Sequence, residues 1–392
     1  MIKAKLKEVC SFDPPKSEAR ESLKSDDLVG FMPMKDLGIE SKNAKASSSR
    51  PLNEVIKAYT YFAEKDVLVA KITPCFENGK MGIARDLENK IGFGSSEYFV
   101  LRPGASVMSE YIYYFLRQEF VINNGKEIMT GAVGHKRIPS DYLENLEIPL
   151  PTLEKQREIV EKLDSAFAEI DLLEKNLDQN SEFILEIEAS LVANLWVKYA
   201  NELTVKRLED VADYKNGSAH EKIVDENGDF IIVNSKFISS NGLKFKRSSK
   251  QLTPLKIGDV TMVLSDVPNG KALAKCFLVD KDDTYTLNQR ICKLTSEILL
   301  PEFLSLNMNR NPYLLSFNNG ENQTNLRLND VLKTPIYVAN KATQKLITDE
   351  FLEAKRTILE YSKMNLRKAE SLNLLKQSLL VSNFSDLERD VA

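Results

Sequence analysis

Residues 156–191, QREIVEKLDSAFAEIDLLEKNLDQNSEFILEIEASL, and residues 344–379, QKLITDEFLEAKRTILEYSKMNLRKAESLNLLKQSL, align without a gap at a constant offset of 188 positions. Self-similarity of this kind predicts a duplicated architecture. Upstream of both segments the repeat continues, but its offset drifts between 202 and 191 positions. Loops tolerate insertions, whereas one added residue in a packed helix rotates every following side chain by about 100°. The sequence therefore predicts a globular domain, a helix, a second globular domain and a second helix.

Both repeated segments carry apolar residues at alternating spacings of four and three, the pattern of a coiled-coil seam. We predict that the seam consists of Ile159, Leu163, Ala166, Ile170, Leu173, Leu177, Ile184, Ile187 and Leu191 in the first helix, and of Ile347, Phe351, Ala354, Ile358, Tyr361, Leu372, Leu375 and Leu379 in the second. Asn180, Asn365 and Lys368 interrupt it, and polar residues at such positions fix register at a cost in stability. Pairing of the two copies is favoured, and a helix lying on its own globular domain is the alternative.

The predicted fold class is α+β, with two α/β domains in tandem, separated by two long helices that pair as an antiparallel coiled coil in a pseudo-twofold repeat. The predicted boundaries are 1–152 for the first domain, 153–199 for its helix, 200–340 for the second domain, 341–383 for the second helix and 384–392 for a C-terminal tail. In each domain an alternating strand leads to an Asn-Gly pair, Asn78-Gly79 or Asn269-Gly270, which favours a tight hairpin.

Composition excludes some classes of protein without selecting a ligand. No apolar run approaches the roughly 18–20 residues of a membrane span, and the start of the chain lacks a signal-peptide core, so we expect a cytoplasmic location. Four cysteines and two histidines have no paired spacing, so we expect no metal site. The net charge is -4, yet residues 1–150 balance at 21 basic and 21 acidic, while 151–200 hold 5 basic and 11 acidic. A basic groove is compatible with this distribution.

The motifs that catalysis requires are missing from the sequence. A phosphate-binding loop needs a glycine five residues before Gly79 or Gly270, where Pro74 and Ser265 stand. Asp13-Pro14-Pro15 is followed by Lys16 rather than by the aromatic residue of amino-methyltransferase loops, and a simple turn is the better interpretation. No serine or cysteine lies in a nucleophile elbow. The sequence predicts a binding protein, not an enzyme.

Four stretches carry a resemblance to a known family: residues 66–71 (DVLVAK), 95–103 (SSEYFVLRP), 134–139 (GHKRIP) and 148–160 (IPLPTLEKQREIV). Together with the order of domains and helices, they resemble the DNA specificity subunit of type I restriction-modification systems over essentially the whole chain. The proline-rich entry to the first helix, with Gln156 in its opening turn, is the most specific element. The second copy departs from this pattern, since Val338-Ala339-Asn340 replaces the Leu-Pro continuation and Asn325-Leu326-Arg327 stands where we align Lys136-Arg137-Ile138.

The resemblance implies that the globular domains are target recognition domains, which read a bipartite, asymmetric DNA site with a fixed spacer. It further implies that the helices dock two DNA methyltransferase subunits, which bind S-adenosylmethionine, and that restriction subunits using ATP and Mg join that complex. On this resemblance the chain has no catalytic residues and binds no cofactor itself. The alternatives are a tandem DNA-binding regulator that acts without a methyltransferase, and a coiled-coil scaffold that binds protein.

Candidate DNA contacts come from polar loops after the strands, because Arg, Lys, Asn and Gln read base edges and the cations also bind phosphates. In the first domain we select Lys71, Asn78, Lys80, Thr130, His135, Lys136 and Arg137. In the second we select Asn234, Lys236, Lys244, Lys246, Arg247, Asn269, Lys271, Gln323, Asn325 and Arg327. For each of these residues, a solvated surface position or a turn is an equally good interpretation.

Overall fold

The computed structural model describes residues 2–132, 134–266, 272–318 and 324–389. The chain divides into two units, one of Met1–Gln179 with Leu366–Ala392 and the other of Asn180–Asn365. Each unit holds one globular domain and a part of each long helix. Among the helices in the described ranges, none has both the length and the apolar composition that a membrane span requires.

The first globular domain is built from short strands and short helices. Its strands are β1 (Lys3–Lys5), β2 (Cys10–Phe12), β3 (Leu28–Met32), β4 (Asn43–Lys45), β5 (Ser48–Pro51), β6 (Thr60–Ala63), β7 (Val67–Ala70), β8 (Met81–Arg85), β9 (Ile91–Gly94), β10 (Tyr98–Pro103) and β11 (Glu147–Pro149). Its helices are α1 (Leu6–Val9), α2 (Ser17–Ser22), α3 (Leu52–Val55), α4 (Ser109–Leu116), α5 (Glu119–Glu127) and α6 (Ser140–Glu144), and the long helix α7 (Leu153–Lys198) follows.

Two sheets organise this domain. One has the strand order β2-β10-β7-β8-β4 and the other β5-β3-β9-β6, while β1 pairs with β11. Every residue of β7 is buried, which explains its continuous apolar sequence. The largest core cluster joins this strand to α4 and to the start of α7, where Ile159 and Leu163 are buried.

The second globular domain repeats this plan. Its strands are β12 (Thr204–Arg207), β13 (Asp213–Asn216), β14 (Phe230–Val233), β15 (Lys246–Ser248), β16 (Val260–Val263), β17 (Ser265–Asp266), β18 (Cys276–Leu278), β19 (Tyr285–Leu287), β20 (Ile291–Thr295), β21 (Thr324–Asn325) and β22 (Pro335–Val338). Its helices are α8 (Ser235–Ser239), α9 (Pro301–Met308), α10 (Pro312–Leu315) and α11 (Leu328–Leu332), and the long helix α12 (Lys341–Arg389) follows.

Strand order and register are the same in the two domains. The order β13-β20-β16-β18 repeats β2-β10-β7-β8, the order β15-β14-β19 repeats β5-β3-β9, and β12 pairs with β22 as β1 does with β11. Val67 pairs with Leu101 in the first domain, and Val260 pairs with Leu294 in the second. Each residue of the second pair lies 193 positions after its counterpart in the first pair. The predicted duplication of an α/β domain is confirmed by this correspondence.

The glutamine at the start of each long helix fastens that helix to its own domain. Gln156 is fully buried; its Oε1 accepts from the Met108 amide (2.9 Å), and its Nε2 donates to the Ser106 carbonyl (2.9 Å) and the Pro151 carbonyl (3.0 Å). Gln344 makes the same bonds to the equivalent groups, which are the Leu300 amide (2.7 Å), the Ile298 carbonyl (3.2 Å) and the Ala339 carbonyl (2.8 Å). We call each set of bonds a glutamine clamp.

In the first unit, α7 and the end of α12 pack against each other in opposite directions. Lys376 Nζ lies 2.8 Å from Glu174 and 3.2 Å from Asp171. Phe384, which comes later in α12, shares a core cluster with Leu163, which comes earlier in α7. The helix α12 ends at Arg389 rather than at the predicted residue 383, since Asn383 and Phe384 are buried and extend the packed face.

In the second unit, the end of α7 packs against the start of α12, also in opposite directions. Lys198 Nζ lies 2.7 Å from Glu350, while Glu188, one heptad and a half earlier in α7, pairs at 3.9 Å with Lys355, later in α12. The Tyr199 hydroxyl also donates to Glu350 (3.0 Å).

One of the two predicted seam rows is confirmed near the start of each helix, where Ile159, Ala166, Ile347 and Ala354 are buried or half-buried, and it is wrong further along. Four predicted seam residues are substantially exposed: Leu173 (49%), Ile187 (53%), Tyr361 (44%) and Leu375 (45%). The residues that follow them, Glu174, Glu188, Ser362 and Lys376, are half-buried or buried. The other row is buried or half-buried throughout: Leu163, Ile170, Leu177, Ile184, Leu191, Phe351, Ile358, Leu372 and Leu379. The covered positions of this row hold charged side chains that pair across the helices, such as Glu174 with Lys376 and Glu188 with Lys355. An apolar pattern therefore predicts the exposed residues next to them.

The tight hairpin predicted at Asn78-Gly79 is also wrong. The strands β7 and β8 do pair, with Val69 opposite Met81. Their connection, however, is the longer loop 71–80, which winds into a helical turn closed by bonds such as Phe76 N–H to the Ile72 carbonyl (3.0 Å). Phe76 is buried and anchors this loop to the core. The second predicted hairpin, at Asn269-Gly270, lies outside the described residues.

Candidate nucleic-acid interface

Three segments of the first domain meet at the edge of the sheet where β7 ends. The Lys71 amide donates to the Glu97 carbonyl (2.9 Å), and the Ile138 amide donates to the Lys71 carbonyl (2.9 Å). The Thr73 amide donates to the Lys136 carbonyl (2.9 Å). We call the three segments, together with their side chains, the polar edge of the first domain: residues 71–73, 95–97 and 136–138.

Arg137 and Glu97 form an ion pair on this edge. The Arg137 Nε and Nη2 donate to the two carboxylate oxygens of Glu97 at 2.9 and 2.7 Å, a bidentate pair. These bonds from Arg137 lower the pKa of the Glu97 carboxyl. The Arg137 side chain is still 53% exposed, and Lys71 Nζ lies 5.0 Å from the centre of the Phe99 ring. The edge thus offers one restrained guanidinium and two lysines, Lys71 and Lys136, to an anionic or base-edge ligand.

The other predicted residues of this domain lie in the same loops. Thr130, His135 and Lys136 are exposed, and Thr130 pairs through its backbone with Arg137. Asn78 is exposed in the loop between β7 and β8, whereas Lys80 Nζ donates to the Met34 carbonyl (3.1 Å). The Lys80 side chain therefore holds the end of its loop to the segment that follows β3.

A cavity of about 420 Å³ adjoins this edge and is lined by Lys71, Ser96, Tyr59, Lys16 and the turn before it. Asp13 in that turn is tied to β10, because its amide donates to the Val100 carbonyl (2.8 Å) and its Oδ1 accepts from the Val100 amide (3.0 Å).

The second domain builds the same edge with different side chains. The Leu264 amide donates to the Arg290 carbonyl (3.0 Å), and the Leu326 amide donates to the Leu264 carbonyl (2.8 Å), which repeats the bonds of Lys71. Ser265 pairs with Asn325 in the short ladder of β17 and β21. The polar edge of the second domain consists of residues 264–266, 288–290 and 325–327.

Equivalent positions on the two edges differ in charge and size. Arg290 stands where the first edge has Glu97, and Asn325 stands where it has Arg137, so our sequence alignment of this segment was displaced by one residue. Arg290 and Gln289 are exposed, and sequence reasoning missed both. The 193-position offset that relates Asp66 to Asp259 would have found them, because it carries Glu97 onto Arg290. The predicted Asn325 and Arg327 are exposed on this edge.

Five of the remaining predicted residues lie near the end of β14, which the bond from the Asn288 amide to the Val233 carbonyl (3.1 Å) joins to the edge. Lys236, Lys244 and Lys246 are exposed. Asn234 caps α8 by accepting from the Phe237 amide (2.9 Å). Arg247 Nη1 donates to the Gly228 carbonyl (3.1 Å). The predicted Asn269, Lys271 and Gln323 lie outside the described residues.

A buried ion pair lies in each domain at the opposite end of β7 or β16 from the polar edge. Asp66, at the start of β7, is 1% exposed and accepts from Arg102 Nε (2.9 Å) and Nη2 (2.8 Å); burial nevertheless raises the pKa of this carboxyl. Asp259, its equivalent before β16, pairs with Lys293 Nζ at 2.9 Å. Asp66 in the quoted DVLVAK stretch is therefore a structural residue.

One group of acidic side chains has the spacing of a cation site. Glu40, Asp171 and Glu174 converge in the first unit. Lys376 Nζ lies among them, at 2.9 Å from Glu40 and 2.8 Å from Glu174, and its side chain is 4% exposed. The lysine ammonium supplies the positive charge that these carboxylates require, and the cluster joins the first domain to both helices of its unit.

The geometry defines a class of protein: a duplicated α/β binding protein with two equivalent but unlike polar edges. Two solved structures share the fold over nearly the whole chain. A chain in "Structural basis underlying complex assembly and conformational transition of the type I R-M system" matches with a TM-score of 0.70 at 13% identity, covering 98% of this chain and 97% of that one. The HsdS subunit from Thermoanaerobacter tengcongensis matches with a TM-score of 0.53 at 14% identity, covering 98% and 96%.

Sequence comparison assigns the family. The chain is 31% identical over 206 residues (52% of its length) to the type I restriction enzyme EcoEI specificity subunit of Escherichia coli, and 32% identical over 183 residues (46%) to the EcoAI specificity subunit. These matches span 33% and 30% of those relatives, about a third of their length. The type I restriction modification DNA specificity domain matches residues 2–180 and 201–363. The chain belongs to this family, which confirms the resemblance.

Proposed function

We propose that this chain is the DNA-recognition subunit of a type I restriction-modification complex. Residues 1–152 and 200–340 act as two target recognition domains, and each reads one half of a bipartite site. The observation that carries the proposal is the polar edge built twice by the same backbone bonds, with Glu97 and Arg137 in one copy replaced by Arg290 and Asn325 in the other. Since unlike side chains read unlike base edges, the two half-sites have different sequences.

The long helices set the spacer between the half-sites in this proposal. They pair as an antiparallel coiled coil, with the buried row around Leu163 and Phe351 as one seam row and the charged row of Glu174, Glu188 and Lys376 as the other. Charged residues at such positions fix register because a slipped helix would leave them buried without a partner. A fixed register gives a fixed number of unread base pairs.

The exposed faces of the helices dock two DNA methyltransferase subunits. The first unit exposes Leu172, Leu173, Leu366, Leu374, Leu375 and Val381, and the second exposes Phe183, Ile187, Leu359, Tyr361 and Met364. Rows of large apolar side chains on a helix favour burial against a partner. The methyltransferase subunits supply S-adenosylmethionine and the catalytic groups, restriction subunits supply ATP and Mg chemistry, and this chain contributes recognition alone, in the cytoplasm.

Co-expression with a type I DNA methyltransferase subunit from the same host tests the proposal. We expect a stable complex that binds duplex DNA with a steep loss of affinity as salt rises, because phosphate contacts release counterions. Leu374→Glu with Leu375→Glu should abolish co-purification of the methyltransferase, whereas the matched pair Lys345→Glu with Lys363→Glu, at exposed lysines of the same helix, should not.

Two outcomes favour the other candidates. Tight, sequence-specific binding by the isolated chain, with no methyltransferase in the complex, would indicate a tandem regulator. A complex that forms with protein but shows no salt-dependent affinity for any duplex would indicate a scaffold.

A further inference from the structure

The second domain contains a long segment without a single carboxylate. Residues 230–258 include six cations, Lys236, Lys244, Lys246, Arg247, Lys250 and Lys256, and no Asp or Glu, which gives a local charge of +6 in a chain whose net charge is -4. The segment covers β14, α8 and β15. Charge of one sign concentrated in one segment indicates a polyanionic partner.

The turn between α8 and β15 lies at the same end of its sheet as the polar edge. Lys246 pairs with Ile232 in β14, so residues 243–245 lie beyond the end of that strand. Val233, the last residue of β14, accepts through its carbonyl from the Asn288 amide (3.1 Å), and Asn288 belongs to the edge. This bond therefore links the strand that precedes α8 and the turn to the polar edge.

Backbone bonds hold the turn in one shape. The Asn241 amide donates to the Ile238 carbonyl (3.2 Å), and the Gly242 amide donates to the Phe237 carbonyl (2.9 Å). The Leu243 amide donates to the Ser240 carbonyl (3.1 Å), and the Lys244 amide donates to Ser240 Oγ (2.9 Å). Asn241 and Gly242 adopt positive φ angles of 50° and 83°, which reverse the chain sharply.

This fixed turn presents an apolar side chain to solvent. Leu243 is 84% exposed, the largest exposed fraction among the large hydrophobic side chains of the described residues. Phe245 is 48% exposed, and the Arg247 guanidinium lies 5.4 Å from the centre of its ring. Neither exposed group contributes to the core of the domain. An exposed leucine next to Lys244 on a preformed turn is suited to enter an apolar gap within a polyanion.

We propose that Leu243 is a wedge that inserts between neighbouring base pairs of the half-site read by the second domain. The inference rests on the proposed function and adds a deformation of the DNA to it. Lys244, Lys246 and Lys236 contact the phosphates on either side, while the leucine separates two stacked bases and Phe245 covers the opened step. The energy of unstacking depends on sequence, so this wedge selects a flexible step that no side chain reads directly.

The first domain has no such wedge at the equivalent place. The matching registers of β3 with β5 and of β14 with β15, counted back along the chain, place Lys45 where the second domain has Leu243. Ser47, Ser48 and Ser49 stand where it has Phe245, Lys246 and Arg247. The two half-sites therefore differ in deformation as well as in base contacts.

Fluorescence of 2-aminopurine tests the wedge in the complete complex with its methyltransferase. The probe is placed in turn at each adenine of both half-sites of the methylated motif found in the host, except the methylated adenines themselves, because the methyltransferase extrudes those bases from the stack to reach them. We expect the fluorescence to rise several-fold at one step of the second half-site and to stay unchanged throughout the first. Leu243→Ala should remove the rise in fluorescence. It should also weaken specific binding roughly ten-fold, since burial of a leucine side chain raises an affinity by at least about that factor.

Matched variants separate the wedge from a general loss of binding. Ile257→Ala removes a similarly exposed side chain (62%) at the opposite end of β16 and should leave both signals unchanged. Lys244→Ala should lower the salt slope of binding by about 0.9, whereas Leu243→Ala should not alter it.

An unchanged 2-aminopurine signal and affinity in Leu243→Ala, in a complex that binds its site normally, would overturn the wedge and leave the proposed function intact. Loss of the methyltransferase from the Leu243→Ala complex would overturn it too, because Leu243 would then be a protein contact. Absence of DNA binding by the wild-type complex would instead refute the proposed function.

Discussion

Replacement of Gln156 by alanine should destabilise the first domain and detach α7 from it. The side chain is fully buried, and its removal leaves the Met108 amide and the Ser106 and Pro151 carbonyls without their partner. An unsatisfied buried donor or acceptor costs about 1–3 kcal/mol, and water entering the vacated space recovers a part of that. We therefore expect a loss of about 3 kcal/mol, a large fraction of the roughly 5–15 kcal/mol that stabilises a domain.

Hydrogen exchange at individual amides measures this loss where it occurs, because a chain of two units need not unfold in one step. In Gln156→Ala the Met108 amide should exchange about 100-fold faster, since about 3 kcal/mol of local stability corresponds to roughly two powers of ten. The Leu300 amide, which Gln344 holds, should be unaffected, and Gln344→Ala should show the converse pattern. Gln179→Ala, at an exposed position of the same helix, is the control.

Gln156→Glu adds a dependence on pH. The ionised carboxylate would face the Ser106 and Pro151 carbonyls, so burial and these acceptors raise its pKa in the folded state. A raised pKa means that stability is greatest below the ordinary glutamate pKa and is lost as pH rises through the folded-state value. The clamp would be refuted if the exchange rate of the Met108 amide in Gln156→Ala stayed within a factor of three of the wild-type rate. It would also be refuted if Gln156→Glu were more stable at high pH than at low pH.

Three further predictions follow from the edges and the helices. Glu97→Gln should raise the affinity for nonspecific duplex a few-fold in a salt titration, because it frees Arg137 from its carboxylate partner, and the rise should vanish in Glu97→Gln with Arg137→Ala. Asn365→Leu should stabilise the helix pair by about 1–3 kcal/mol in thermal unfolding. Among the residues that the structure describes, both side-chain amide atoms of Asn365 are buried without a hydrogen-bond partner. An unchanged or lower stability would contradict this prediction. Adding one heptad to each long helix should lengthen the DNA spacer by about three base pairs, since seven helical residues span roughly 10 Å, and methylome sequencing would read the new spacer directly.

Sequence patterns predicted the duplication, both long helices and three residues of the polar edge of the first domain, Lys71, Lys136 and Arg137, but not Glu97. They failed where tertiary contacts override a local preference. Leu173 and Ile187 fit a heptad as well as their neighbours do, and only the pairing of Glu174 with Lys376 and of Glu188 with Lys355 decides which row is covered. An ion pair between residues about 200 positions apart in sequence leaves no local signal.

The candidate site shows the same limit in another form. Lys80, Asn234 and Arg247 have the right chemistry for DNA, yet each is hydrogen-bonded within its domain, to the Met34 carbonyl, the Phe237 amide and the Gly228 carbonyl respectively. Gln289 and Arg290 lie on the second edge because a backbone bond brings residue 290 to residue 264, and only the repeat offset carries that information in the sequence. Residue type predicts what a side chain can bind, whereas the fold determines whether it is free to do so.

The duplicated reader is tested most directly by the pattern of N6-methyladenine across the genome of the host, with the gene present, deleted, and carrying Arg137→Ala. We expect a bipartite motif with two unlike halves that disappears on deletion, and relaxed or lost reading confined to one half in Arg137→Ala. Methylation that persists after deletion, or a motif with two identical halves, would contradict the assignment of one target recognition domain to each half-site.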